Sequence, residues 1–337
     1  MSATLETTHA IVDAPASTGG RSALAFLSPR RFNGVYLLLV LALIFSVWVE
    51  PFRTLENFRV VASGQAITGI LTMGLIVSLI SGVFDISIAA VMSFSISLVG
   101  WFQATLHMNA ALAVLLTVAC GALIGGVNAF NVTVLKVDPI IATLGMSAIL
   151  AAAAYWIAQG KTILNGISET FTSFGTGRLL SIPVPVFYLF GVALLLWFAL
   201  EHTTWGRYLR ASGANPVATK LAGIRVVRLQ WSALLVSGAL GAVAGVVLTM
   251  QLGAASFDAG ASYLLPAFAA AFLGTTQIQP GRFNVWGTVV ALYLLAVAVK
   301  GLQLRFPSVP WIGDLIQGVT LIGSVAIAAY VARRRRT

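Results

Sequence analysis

Asp85 is the only acidic side chain in the body of the hydrophobic region before Asp138. A carboxyl group among apolar helices is costly, so it marks a site unless local structure accounts for it. It lies in Ser81-Gly-Val-Phe-Asp-Ile-Ser87, a polar interruption between two apolar runs. Two roles are open: a group on a solute path, or a cap for a helix beginning near Ile86. Asn128, Thr143, Ser147, Thr275 and Gln277 are further polar residues within or beside apolar runs. Hydroxyls and amides are the groups that hold uncharged polyols, and the same groups also hydrogen-bond one membrane helix to another.

Other chemistry lacks its parts. Gly160-Lys-Thr162 looks like the end of a phosphate-binding loop, but Tyr155 stands where the earlier glycine is required and an apolar run, not a strand, precedes it. His9, His107 and His202 are scattered, and Glu201-His202 lacks the rest of a zinc helix. The single cysteine, Cys120, excludes an intramolecular disulfide and is a packing residue. With no nucleophile–base pair or metal constellation, the chain is expected not to be an enzyme and to carry no cofactor.

A third kind of chemistry is mechanical. Glu201–Gln230 is the longest polar stretch, with five basic residues. Inside it, Gly213-Ala-Asn-Pro-Val-Ala-Thr-Lys-Leu-Ala-Gly223-Ile spells a miniature helix: Asn215 as cap, Pro216 at the first helical position, Gly223 at the exit. Val217, Ala218 and Leu221 supply an apolar face. So short a helix is marginal alone and implies a docking partner, the alternative being a solvated loop whose arginines only set topology.

The elements that must position these residues are membrane helices. Of 337 residues, 58% are hydrophobic and only 9% charged, against about 25% charged in soluble domains. The net charge of +10 is spread over short gaps and the chain ends, which suits membrane lipid and excludes a nucleic-acid stripe. Residues 1–31 are expected to be a disordered cytoplasmic tail, without a cleavable signal, and 333–337 a basic cytoplasmic tail. Between them, a transmembrane domain over 32–332 contains apolar runs at Val35–Val49, Ala62–Ile80, Ile88–Leu106, Ala110–Phe130, Ile140–Ala158, Val184–Leu200, Trp231–Gln251, Val285–Leu302 and Trp311–Val331. A shorter run, Tyr263–Leu273, precedes the breaker-rich Gly274–Gly281. The expected fold is an all-α polytopic membrane protein of about ten transmembrane helices, or eight plus re-entrant segments, with both termini cytoplasmic. That orientation puts fourteen basic residues inside and six outside, and makes 202–229 a cytoplasmic loop. Met73–Met92 and Leu265–Leu292 share a helix–breaker–helix pattern, which suggests repeated halves.

Several segments carry a family resemblance. Thr204-Trp-Gly-Arg-Tyr-Leu-Arg-Ala-Ser-Gly-Ala-Asn-Pro-Val-Ala-Thr-Lys-Leu-Ala-Gly-Ile224 resembles the cytoplasmic loop of the ribose-type ABC permeases, of the sugar and branched-chain amino-acid permease superfamily. Ser81–Ser87 sits where that family has Gly-Gly-Ile-Asp-Leu-Ser, and Gly126-Val-Asn128 is similar to its Leu-Asn-Gly segment. Pro139-Ile-Ile-Ala-Thr-Leu-Gly145 is similar to its Pro-Phe-Ile-Ala-Thr-Leu-Gly run. Leu273–Thr288 resembles its Gly-Gly-Thr-Ser-Leu-Ser-Gly-Gly-Arg-Gly segment. The sequence departs from the pattern at Val83-Phe84 and at Gln279-Pro280-Gly281, where bulkier residues stand at both breakers.

The resemblance implies the membrane subunit of an ATP-driven importer in the bacterial inner membrane, moving a monosaccharide or similar small polar solute. It implies a separate ABC ATPase, a periplasmic solute-binding protein and a permease homodimer. Gly213, Asn215, Pro216, Ala218, Leu221 and Gly223 would form the ATPase-coupling helix, and Asp85, Asn128, Thr143 and Thr275 are candidates for the path. The competing expectation is an ion- or proton-coupled secondary transporter working alone.

Overall fold

The computed structural model describes residues 29–334, with side chains over 32–327; the expected tails fall largely outside that range. Six helices are long and apolar enough to cross a membrane: α2 (Leu55–Ile80), α4 (Ala110–Thr133), α5 (Pro139–Ala158), α7 (Val184–His202), α10 (Val226–Leu252) and α12 (Val285–Arg305). Four shorter apolar helices lie in α1 (Pro29–Trp48), α3 (Ile88–Ala104), α11 (Leu264–Gly274, continuing the 3-10 turn Ala259–Tyr263) and α13 (Ile312–Arg334). The protein is an all-α polytopic membrane protein. Three short helices lie outside these: α6 (Glu169–Thr176), α8 (Thr204–Ala214) and α9 (Pro216–Leu221). A two-residue hairpin, β1 (Arg178–Leu179) with β2 (Ile182–Pro183), is an element that the sequence patterning does not announce.

Helices outrun the apolar runs where polar residues continue the ladder beyond the hydrophobic slab. α2 starts at Leu55 rather than Ala62 because the Thr54 hydroxyl caps it, accepting from the Asn57 N–H at 3.2 Å. α10 starts at Val226, and its first turns carry Arg228 and Gln230. Hydropathy locates the slab, not the helix end.

α2 and α10 form the centre. From Ala66 to Ile80 every residue of α2 is buried, and α10 packs on α2, α3 and α4 together. α2 also meets α7, α11 and α12, while α5 lies on α3, α13 on α11, and α1 on α12. Large apolar side chains on the outer helices, such as Leu43, Ile149, Trp156, Leu195 and Ile322, are exposed, as a lipid-facing surface requires.

Glycines let α10 sit so centrally. A Cβ on Gly238 would run into the Gly121 carbonyl and lie 3.0 Å from the Gly125 nitrogen on α4. On its other face, Gly241 and Gly245 abut the Ile88 and Met92 carbonyls of α3, at 3.0 and 2.6 Å from such a Cβ. Gly121-xxx-Gly125 and Gly241-xxx-Gly245 are therefore close-packing seams.

Replacing Gly238 by Val should lower the stability of the solubilised protein by about 1–3 kcal/mol through overpacking. Gly191→Ala, where a Cβ meets nothing within 4 Å, should cost nothing measurable. Thermal unfolding in detergent of the two variants checks the contrast.

Candidate functional site

The chain breaks between α2 and α3 at Ser81–Ser87. α2 ends in a left-handed turn at Gly82 (φ +83°), with Gly82 N–H donating to Leu79 O and Val83 N–H to Ser78 O, each at 3.1 Å. Val83 is then buried against Ala129, Leu234 and Trp231, which turns the next residues inward.

Asp85 is 1% exposed and does not stand free. Its carboxyl group accepts from the Ser87 hydroxyl and from the Ser237 hydroxyl of α10, each at 2.6 Å. Asn128 of α4 donates its amide to the Ser87 oxygen at 2.7 Å. Thr143 of α5 accepts from the Ile86 N–H at 3.2 Å and donates to Pro139 O at 2.8 Å. The break is thus tied to α4, α5 and α10. α3 begins at Ile88 with Ser87 as its cap residue, whose own side chain makes no capping bond. The Asp85 carboxyl group meets the backbone N–H groups of Ser87 and Ile88 at that terminus, so it joins helices and also serves the start of α3. The Asn128 Oδ1 is buried without a hydrogen-bond partner among the described residues, an acceptor left open beside this network.

The structure thus brings Asp85, Asn128 and Thr143 together and sets Thr275 apart. Thr275 lies in a second break, Thr275–Asn284, where its hydroxyl donates to Phe272 O at 2.7 Å and its carbonyl accepts from the Gly281 N–H at 2.8 Å. Asn284 organises this turn: its amide donates to the Gly274, Gln277 and Arg282 carbonyls, each at 3.2 Å, and its oxygen caps α12 by accepting from the Gly287 N–H at 2.6 Å. The two breaks touch through aromatic rings. Phe84 stacks on Phe272 with centroids 6.4 Å apart, and Phe272 meets Phe283 edge-on at 5.5 Å.

The polar stretch after α7 folds into two helices, not one. Asn215 ends α8 and caps α9, its Oδ1 accepting from the Ala218 N–H at 3.0 Å. Pro216 opens α9, and Gly223 (φ +80°) closes it, with Gly223 N–H donating to Lys220 O and Ile224 N–H to Thr219 O. Thr219 is buried, whereas Val217 is 68% and Leu221 84% exposed, and Ala218 lies exposed between them. The result is a stiff one-and-a-half-turn helix holding an apolar face in solvent.

Gly213 plays a different part from its neighbours. It belongs to α8 and lies against the first break: a Cβ there would meet the Ile80 carbonyl and sit 3.1 Å from the Gly82 nitrogen. At Gly82 a Cβ would sit 3.3 Å from the Gly213 Cα, so two glycine backbones touch. The second break is tied to the same helix. Glu201 pairs with Arg210 of α8 at 2.5 Å and with Arg282 at 3.5 Å, and Arg210 also donates to Leu200 O at 2.7 Å. α8 therefore rests on both breaks at once.

This arrangement can be compared with known proteins. A family profile described as "Branched-chain amino acid transport system / permease component" matches residues 58–325. The chain belongs to that permease family. The ribose import permease protein of Escherichia coli (strain K12) is 32% identical over 274 residues, covering 79% of this chain and 84% of the relative. The ribose import permease protein of Bacillus subtilis (strain 168) is 32% identical over 275 residues, covering 81% and 84%. The autoinducer 2 import system permease protein of Escherichia coli O9:H4 (strain HS) is 33% identical over 242 residues, covering 70% and 73%. No solved structure matches the chain significantly. The ribose-type ABC permease resemblance read from the sequence is correct.

Within the permease, Glu201, Gly82, Ser237 and the ring of Phe272 escape sequence reasoning. Ser237 is one hydroxyl in an apolar helix, and only the fold sets it against Asp85, 152 positions away. Glu201 did carry a signal, as the lone acid entering an arginine-rich loop.

Asp85→Ala leaves Ser87 and Ser237 without their acceptor and should cost about 1–3 kcal/mol of stability. Asp85→Asn keeps one acceptor and should cost less. Thermal unfolding of the inserted, solubilised variants measures both; equal stability of wild type and Asp85→Ala would contradict the joining role.

Proposed function

We propose that this permease is the transmembrane subunit of an ATP-binding-cassette importer that carries a monosaccharide or similar small polar solute into the cytoplasm. The observation that carries the coupling is α9: a helix capped at both ends, with Val217, Ala218 and Leu221 exposed to solvent at the edge of a membrane domain. An exposed apolar face on a rigid helix suits a groove on a second protein. Membership of an ABC permease family makes that protein an ATPase, and the relatives' names supply the solute class: they import ribose or autoinducer 2.

The same reading assigns a bacterial inner-membrane location, ten crossings with both termini cytoplasmic, and the 202–229 loop on the inner side. A pair of permeases is expected, because ATPase subunits close as a two-fold sandwich, and a periplasmic solute-binding protein delivers the solute. The loop between α5 and α7 is the candidate for its seat. There α6 packs on the end of α10, and Ile163 pairs with Ala255.

ATP-driven closure would move α9 and α8 together. α8 then bears on the first break through Gly213 and on the second through Arg210, Glu201 and Arg282, so one rigid displacement reaches both interruptions. Asp85, Asn128 and Thr143 lie at the first of these and Thr275 at the second, which is why they remain the candidates for the path.

Ala218→Glu or Gly223→Asp should leave the permease inserted, the second at some cost in strain at a left-handed position, yet abolish solute-stimulated ATP hydrolysis in the assembled complex. Unchanged hydrolysis removes α9 from the mechanism. Purified permease alone in liposomes should take up no solute; uptake without any ATPase subunit would establish the stand-alone transporter instead.

A further inference from the structure

α2, α11, α12, α13 and the turn at Ala259–Tyr263 line a half-open cavity of about 260 Å³. It lies away from α8, since its α2 wall is Val60–Thr68 whereas Gly213 touches the opposite end at Ile80. At 1.5 Å per residue, Thr68 is roughly 20 Å along α2 from Leu55, so the cavity reaches deep into the bundle. Its lining is unusual for an apolar interior. Gln65, Thr68, Tyr263, Lys300, Gln303 and Gln317 face it, and no acidic residue does.

These polar groups are also unpaired. Among the described residues, the side chains of Gln65, Tyr263, Lys300, Gln303 and Gln317 make no hydrogen bond or ion pair. Arg305, the next cation on α12, is engaged with the rings of Trp48 and Phe306 at 5.3 and 5.4 Å. Asp314, the acid nearest in sequence on α13, is exposed and forms no ion pair with Lys300. Lys300 is thus a half-buried cation near the end of α12, sharing the cavity with amide and hydroxyl groups and lacking a counter-charge. An anion entering there would supply one.

We propose that this cavity holds a phosphate group, with Lys300 as its counter-charge and the amides of Gln65, Gln303 and Gln317 as hydrogen-bond donors. A phosphate offers more acceptor oxygens than a carboxylate, matching donors that converge from three helices. The group has two sources, a phospholipid headgroup or a soluble phosphate. The aromatic side chains Trp48, Phe306 and Trp311 at this end of the bundle mark the headgroup level, from which a lipid phosphate is within reach.

The test is thermal unfolding of the purified, delipidated full chain in neutral detergent. It is titrated in turn with short-chain phosphatidylglycerol, with inorganic phosphate, and with chloride as control. Saturable stabilisation is expected with one or both phosphate-bearing probes and not with chloride. A response to the lipid alone assigns the headgroup; a response that includes inorganic phosphate assigns a site open to soluble anions. Lys300→Gln should weaken the response about tenfold or more, and Lys300→Arg should retain it. Should Lys300→Gln fail to fold, Gln317→Leu should weaken the response in the same direction. The proposal is overturned if neither phosphate probe stabilises the wild type, or if the responding variant titrates like wild type.

Discussion

A carboxyl group in an apolar interior must obtain its hydrogen bonds from the protein itself, and the helices around it are held by that need. Asp85 obtains them from the hydroxyls of Ser87 beside it and Ser237 on α10 and from backbone N–H groups at the start of α3. Asn128 extends the chain of donors to α4, and Thr143 fastens the preceding residue to α5. Each donor depends on close backbone approach. Ser237 precedes Gly238, whose missing side chain lets α10 lie on α4. The polar network and the glycine seam are one construction: the seam sets the distance, and the network fixes the register.

On the side facing the 202–229 loop, the same break meets α8 through two touching glycines, Gly213 and Gly82. The second break meets α8 through an ion pair shared by Glu201, Arg210 and Arg282. Steric contact and electrostatic attraction differ in what they transmit. A backbone contact resists compression, while a shared carboxylate resists separation. The aromatic run Phe84, Phe272, Phe283 closes the triangle by linking the breaks directly. It includes Phe84, one of the bulkier residues at which the sequence departs from the ribose-type pattern.

Much of this was legible in sequence because its causes are local. The caps of α9 follow from Asn215, Pro216 and Gly223, and each apolar run became a helix because spanning segments have no other way to satisfy their backbone. What stayed hidden has non-local causes. Nothing in Glu201–Gln230 says that Gly213 belongs to a separate helix pressed on residues 80–82, because the partner surface lies more than a hundred residues away. Asp85 illustrates the limit most clearly: its depth was readable, but the junction it makes with Ser237, 152 positions on, was not. The polar cavity around Lys300 was hidden for the same reason. Only the fold brings Gln65 of α2 and Gln317 of α13 to the same cavity as Lys300.

The central claim is that α8 transmits movement to the first break through the Gly213–Gly82 contact. The direct measurement is ATP hydrolysis together with solute uptake by Gly213→Val permease, reconstituted in liposomes with its ATPase and solute-binding protein. A side chain there must push α8 off Ile80 and Gly82. The account predicts a complex that assembles and hydrolyses ATP but takes up little or no solute. Uptake at the wild-type rate per ATP hydrolysed would contradict it.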